Sequence, residues 1–231
     1  MLKADFHAHT KEDKDEGNNI CYSAKELIEH YAKLGYDVVV ITNHDNVFYN
    51  KKIADFAKKK GILLIPGVEA TIEKRHVLVL NTRKVPKSFK ELEKIKGKSN
   101  VVIVPHAFYP RYKCFSVKKI LKHKDLFDGF EYSHFYCGKY SNILNNKMIG
   151  LVKKLKKPVI GTSDAHILDQ IGHTYTLIDS EKDTESVISA IKKNKLKLIS
   201  RPIPYSVLLK VLARMLYVKF LKLKQKVYKS K

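Results

Sequence analysis

The sequence predicts a closed β/α barrel, on three observations. Short apolar, β-branched runs alternate with helical patterns almost from end to end, seven or eight such runs fall within the first 180 or so residues, and histidines gather where the runs stop. The predicted strands cover residues 2–7, 37–42, 62–66, 77–81, 101–105, 129–133, 158–162 and 174–179. Helical patterns between them include 23–34, 50–60 and 139–156. Ser23 with Glu26 three residues on forms a capping box, and Gly35 ends that helix. Strand–helix alternation argues for parallel pairing. The stretch 71–75 is too short for a helix, so the third and fourth strands are expected to join by a plain loop.

Composition bounds the rest. At 231 residues, 44% hydrophobic and 29% charged, the chain suits one large α/β domain with a short appendage. The expected division is a barrel over 1–200 and a basic amphipathic C-terminal helix over 201–231. No run of 18 uncharged apolar residues predicts a membrane span, and the N-terminus lacks an apolar export core. Cys21, Cys114 and Cys137 are odd in number and far apart, which reads as free thiols in a reducing compartment, the cytoplasm by default.

The net charge of +22 is uneven. From Lys192 onward there are 13 Lys or Arg and no acidic residue, whereas the preceding residues hold the other 32 basic residues against 23 acidic ones, a net of +9. In the body a Lys-rich solvated surface explains the excess. In the tail, Leu209, Leu212, Leu216, Phe220, Leu223 and Val227 recur at three- and four-residue steps among the lysines. Such a helix either docks on the barrel wall or serves as an arm for nucleic acid, an anionic membrane surface or a partner protein.

The chemistry lies at the strand ends. His7 and His9 close the first strand, His44 and Asp45 follow the second, and Glu69 follows the third. His76 leads into the fourth, His106 follows the fifth, and Asp164 and His166 follow the seventh. The C-terminal strand ends of a β/α barrel share one face, so these side chains can converge. Two histidines two residues apart on extended chain point the same way and can grip one ion. Imidazoles mixed with carboxylates suit Mn, Zn or Fe rather than the oxygen-only shells of Mg or Ca. Two such ions can clamp a phosphate and lower the pKa of a bridging water.

In order along the chain, the motifs Asp5-x-His7-x-His9-Thr10, Thr42-Asn43-His44-Asp45, Gly67-x-Glu69, His76, Pro105-His106 and Ser163-Asp164-x-His166 resemble those of the PHP (polymerase and histidinol phosphatase) family. The resemblance implies a distorted seven-stranded, TIM-like β/α barrel, to which the periodicity adds the C-terminal basic helical extension. It also implies two or three divalent transition metal ions held by His7, His9, His44, Glu69, His76, His106, Asp164 and His166, and hydrolysis of phosphate esters. No catalytic group beyond the metal ligands is expected. In the loop after the first motif, Asp13, Asp15 and Glu16 are candidates for a further ligand, with Glu16-Gly17 the best positional match. Asn43 stands where the family has Asp, a change expected to alter orientation more than ligation. His134 is a candidate extra ligand, a general acid or substrate contact, or a rim histidine, the last being preferred, and His30 and His123 read as surface residues on helices.

The expected function is metal-dependent hydrolysis of a phosphomonoester or phosphodiester, nucleotides and oligonucleotides included, through a metal-activated hydroxide. Arg75, Arg111 and Lys113 are candidates for holding the substrate phosphate. The rival is a non-catalytic nucleic-acid-binding barrel related to ribonuclease P subunits, which the charge favours and the filled ligand positions disfavour.

Overall fold

A computed structural model describes residues 1–16, 19–109, 113–138 and 142–229, with side chains described to residue 221. The element order is β1 (Leu2–Asp5), α1 (Ala24–Lys33), β2 (Val38–Ile41), α2 (Lys51–Lys59), β3 (Leu63–Ile72), β4 (Arg75–Leu80), α3 (Phe89–Ile95), β5 (Val101–Val104), α4 (Val117–Lys122), β6 (Gly129–Tyr132), α5 (Ile143–Leu155), β7 (Val159–Gly161), β8 (Thr174–Ile178), α6 (Thr184–Lys192), β9 (Leu196–Ser200) and α7 (Tyr205–Lys229).

One sheet holds nine described strands in the order β7-β6-β5-β4-β3-β2-β1-β8-β9 and curls until it nearly closes. The expected count of seven is therefore corrected to nine; β9 lies within the expected barrel span but beyond the last predicted strand, and it pairs with β8. Parallel pairing holds for β1–β2–β3 and for β5–β6–β7. It fails at β4, antiparallel to both neighbours, and at β8, antiparallel to β1 and β9.

The reversal at β4 has a local cause. Glu73 and Lys74 both take positive φ, 47° and 61°, so the expected loop is a tight two-residue hairpin turn. β3 also runs past Pro66-Gly67, which the sequence reading took as its end. Gly67 is needed there because a Cβ would lie 2.3 Å from Val40 Cγ1.

Alternation along the strands builds two layers. Val38 and Val40 pack with Ala4, Phe6, Ile65, Leu78 and Ile103, beneath Val187 and Ile188 of α6. Val39 and Ile41 face outward onto Leu27, Ile28 and Tyr31 of α1 and Ala57 of α2. The α1 capping box forms as expected, and Asn50 caps α2.

Closure depends on polar stitches between the first and last parts of the barrel. Thr176 Oγ1 accepts from Gly161 N and donates to Gly161 O, both at 2.9 Å. A Cβ on Gly161 would sit 2.6 Å from the Tyr175 carbonyl oxygen, so only glycine permits this approach. The amide of His9 donates to Ala165 O at 3.1 Å. Buried Asp5 accepts from Ser163 N, from the Tyr31 hydroxyl and from His7 N.

The C-terminal helix docks, but not as its leucine pattern predicts. Val207 and Val211, with Ile203, pack on Phe135, Cys137 and Ile167, which lie in loops after β6 and β7. Val218 is buried as well, whereas Leu209, Leu212, Leu216 and Phe220 remain 40–70% exposed. The smaller valine stripe faces the protein because the rim loops approach closely, and the leucine stripe faces outward.

Burial pushes the Asp5 carboxyl up to about 6, above its unfolded value near 3.9. An acid raised in this way contributes stability that is complete below about pH 4 and lost as pH rises through about 6. Asp5→Asn should therefore flatten the dependence of stability on pH across that window, with a difference from wild type of up to about 3 kcal/mol. Urea unfolding of both proteins at pH 4 and pH 7 measures it; parallel pH slopes would contradict it.

Candidate metal centre

Five segments of the chain bring the functional side chains together at the C-terminal end of the barrel. His7 and His9 follow β1 and lie on one side of an extended segment, both wholly buried. Glu69 and His76 come from the β3–β4 hairpin, inside the strands rather than beyond their ends as the sequence reading has it. His44 is bridged to Glu69 through the backbone. His106, Asp164 and His166 follow β5 and β7. His106 and Asp164 take positive φ, 30° and 44°, a strained backbone of the kind found at functional sites.

Glu69 lies at the middle. Its Oε2 stands 3.2, 3.3 and 3.1 Å from Nε2 of His7, His9 and His44, and its Oε1 stands 3.0 Å from His106 Nε2 and 2.7 Å from His76 Nδ1. Asp164 Oδ1 approaches His7 and His9 Nε2 at 3.3 and 3.4 Å, and His166 Nδ1 at 3.7 Å. Among the described residues, four triads bring their donor atoms within 4.8 Å of one another: His7–His9–Glu69, His9–Asp13–His44, His9–Asp164–His166 and His44–Glu69–His76. They overlap through His9, His44 and Glu69.

Two further carboxylates stand behind the histidines. Asp13 Oδ2 accepts from Nδ1 of His9 at 2.9 Å, and from both Nδ1 and the amide of His44 at 2.8 Å. Glu131 Oε1 lies 3.3 Å from His7 Nδ1 and accepts from the Thr162 hydroxyl; its Oε2 accepts from His106 N at 2.6 Å. With Nδ1 held as N–H, the Nε2 lone pairs of His7, His9 and His44 face inward, the arrangement that orients imidazole ligands. Asn43 accepts from Thr10 N and donates to Thr10 Oγ1, both at 2.9 Å.

The electrostatics are those of a site built around positive charge. Burial alone would lower the pKa of His7, but Asp164, Glu69 and Glu131 raise it well above the ordinary histidine value. His9 and His106 behave likewise. Burial would raise Glu69, yet His76, His7 and His44 hold it well below the usual carboxylate range. His166 is pushed down to about 3 by burial and by His9. The donor set fits a transition metal ion on a further observation: His76 is buried, and neither ring nitrogen has a hydrogen-bond partner among the described residues. Its close approach to Glu69 lacks hydrogen-bond geometry, so a bound cation would supply the missing partner.

Other candidates fall differently. Asp13, rather than Glu16, stands among the histidines, while Glu16 Oε2 accepts from Arg214 Nη2 at 2.5 Å. Asp15 donates its amide to Asp13 Oδ1. His134 is no rim residue: it is buried, 2.7 Å from Gln170 Nε2, and lowered by burial to about 4. Arg75 donates to Lys74 O, Lys113 is exposed, and Arg111 lies outside the described residues. His123 stacks on Phe89, away from the cluster. The sequence reading missed Glu131 and Arg214. A lone acid in the buried Gly-Phe-Glu-Tyr strand was the available signal for the first, and an arginine in a valine stripe for the second.

Geometry and donors together define a histidine–carboxylate barrel able to hold metal. Residues 142–196 match the family model described as PHP-associated. With the motif series, this match supports a PHP-family protein. No curated protein matches it. Its fold is similar to that of PsfC from Pseudomonas syringae (TM-score 0.64, 16% identity, 93% of this chain and 98% of that one). It is also similar to a putative metal-dependent phosphoesterase from Bifidobacterium adolescentis (0.55, 16%, 71% and 87%). An amidohydrolase from Chromobacterium violaceum, solved with bound sulfate and no metal, is similar too (0.56, 14%, 91% and 96%).

Glu131→Gln should keep the fold and weaken transition-metal affinity roughly 10–100-fold, because His7 loses the anion that fixes its ring. Competition against a chromophoric chelator reads this directly; an unchanged affinity would remove Glu131 from the centre.

Proposed function

We propose that this protein is a metal-dependent hydrolase acting on phosphate esters, monoesters or diesters. The observation that carries the reading is the sharing of Glu69 between overlapping donor triads, since a bridging carboxylate is what neighbouring cations require. His7, His9, Glu69 and Asp164 would hold one ion, and His44, His76 and Glu69 another, with Asp13 orienting His9 and His44. When bound, such ions supply Lewis acidity and a water of lowered pKa. The chain's own groups do the rest. Asp13 and Glu131 hold the Nδ1 protons of their histidines, and full burial of His7 and His9 keeps bulk water from competing.

Phosphate as the substrate group is supported by the net charge of +22 and by an arginine at the site's edge. One structural neighbour is described as a phosphoesterase, while another, an amidohydrolase, was solved with a tetrahedral oxyanion. The non-catalytic nucleic-acid-binding barrel has no need of overlapping ligand triads, so the hydrolase is favoured over it.

A panel of phosphomonoesters, phosphodiesters and amides, each with Mn, Zn or Fe, tests the proposal, and turnover confined to amides would overturn it. Asp164→Asn keeps size but removes charge, and should lower both metal content and phosphoester turnover, the latter at least about tenfold. Elemental analysis beside steady-state kinetics measures both; unchanged turnover would assign the hydrolysis to another site.

A further inference from the structure

We propose that Arg214 grips the substrate phosphate, carried to the metal centre by α7, and that Glu16 is its counter-ion before substrate arrives. The proposal rests on the phosphoesterase reading and deepens it by naming the residue that recognises the phosphate.

The placement of α7 is the first ground. It lies on the loops that follow β6 and β7, and Arg214 reaches the loop after β1, donating from Nε to Asn19 O at 3.1 Å and from Nη2 to Glu16. All three loops leave the C-terminal end of the barrel, the end that carries the metal centre. Arg214 is thus a cation of the C-terminal helix tied to the loop after β1, at this end of the barrel.

The direction of solvent access is the second ground. His7 and His9 side chains are fully buried, whereas His44, Asp164 and His166 are 10%, 13% and 19% exposed. Arg214 and Glu16 are exposed to a similar degree, 14% and 17%. A substrate entering on the side of His44, Asp164 and His166 passes this pair.

The third ground is chemical. A guanidinium has five N–H donors in a planar fork, and the two described bonds engage two of them. Those left suit an oxyanion, which arginine grips bidentately. Anchoring the helix does not require an arginine: Val207, Val211 and Val218 form the rest of the inner stripe, and Lys210 already pairs with Asp169. A half-sheltered ion pair is weak evidence of a stability role, because apolar residues of similar size commonly serve as well. The phosphate candidates named from sequence compete poorly, since Arg75 turns to the Lys74 carbonyl and Lys113 is exposed.

The test uses full-length, metal-loaded protein with inorganic phosphate as probe, by calorimetry, beside kinetics on a small phosphomonoester and elemental analysis. Arg214→Met should weaken phosphate binding and raise KM, each about tenfold or more, with kcat moving less and metal content unchanged. Arg214→Lys should fall between the two, and it carries the comparison if the Met variant does not fold. Glu16→Gln should keep its metal and bind phosphate as tightly as wild type or more so. Unaltered phosphate affinity and KM in the Arg214 variants would make Arg214 a mere helix anchor. Loss of one metal equivalent in Glu16→Gln would make Glu16 a ligand that Arg214 positions, and would overturn the proposal. Wild-type protein that binds phosphate through Arg214 but hydrolyses no phosphoester would refute the hydrolase reading alone.

Discussion

A carboxylate sealed inside a protein needs polar partners, and Glu69 has five imidazoles ranged around its two oxygens. Leaving such a group unpaired would cost several kcal/mol. The surrounding structure can be understood as the means of bringing those rings together. The first strand supplies two of them through its two-residue period, the hairpin supplies Glu69 itself with His76, and the loops after β2 and β5 supply His44 and His106. Because Glu69 sits within a paired strand, its position is fixed by backbone hydrogen bonds on both sides. Rigid placement is what a metal site needs from its central ligand.

The outer ring of polar groups matters as much. Imidazole can present either nitrogen, and a cluster of six rings without fixed tautomers would have many competing arrangements. Asp13 and Glu131 remove that freedom by occupying Nδ1 of His9, His44 and His7. Glu131 also accepts from the His106 amide and the Thr162 hydroxyl, so one buried acid couples three strands of the barrel to one ligand. Asp5 plays a comparable part lower down, joining β1, α1 and the chain after β7. The motif that carries the candidate metal ligands therefore also carries the barrel's closure.

The C-terminal helix extends this logic beyond the barrel. Its inner face is a valine stripe interrupted by Arg214, and its outer face carries Leu209, Leu216 and Phe220 into solvent. A segment that composition marks as a basic appendage thus contributes to the rim of the site. Its cationic character has at least two components: one arginine turned inward to an acid, and lysines along the remainder.

The sequence by itself determined the strand–helix alternation, the capped helices α1 and α2, and the convergence of His7, His9, His44, Glu69, His76, His106, Asp164 and His166. Those features are local, or follow from the rule that barrel strands share a C-terminal face. Strand direction at β4 was not legible, because Glu73-Lys74 lacks the Asn-Gly or Asp-Gly that announces a tight hairpin. The inward turn of Asp13 in place of Glu16 was not legible either, since loop residues three apart are chemically alike and only the packed rings distinguish them. Tertiary structure also decided which stripe of the last helix is buried. Both stripes satisfy helical periodicity, and the close approach of the rim loops selects the one with valines and a single arginine.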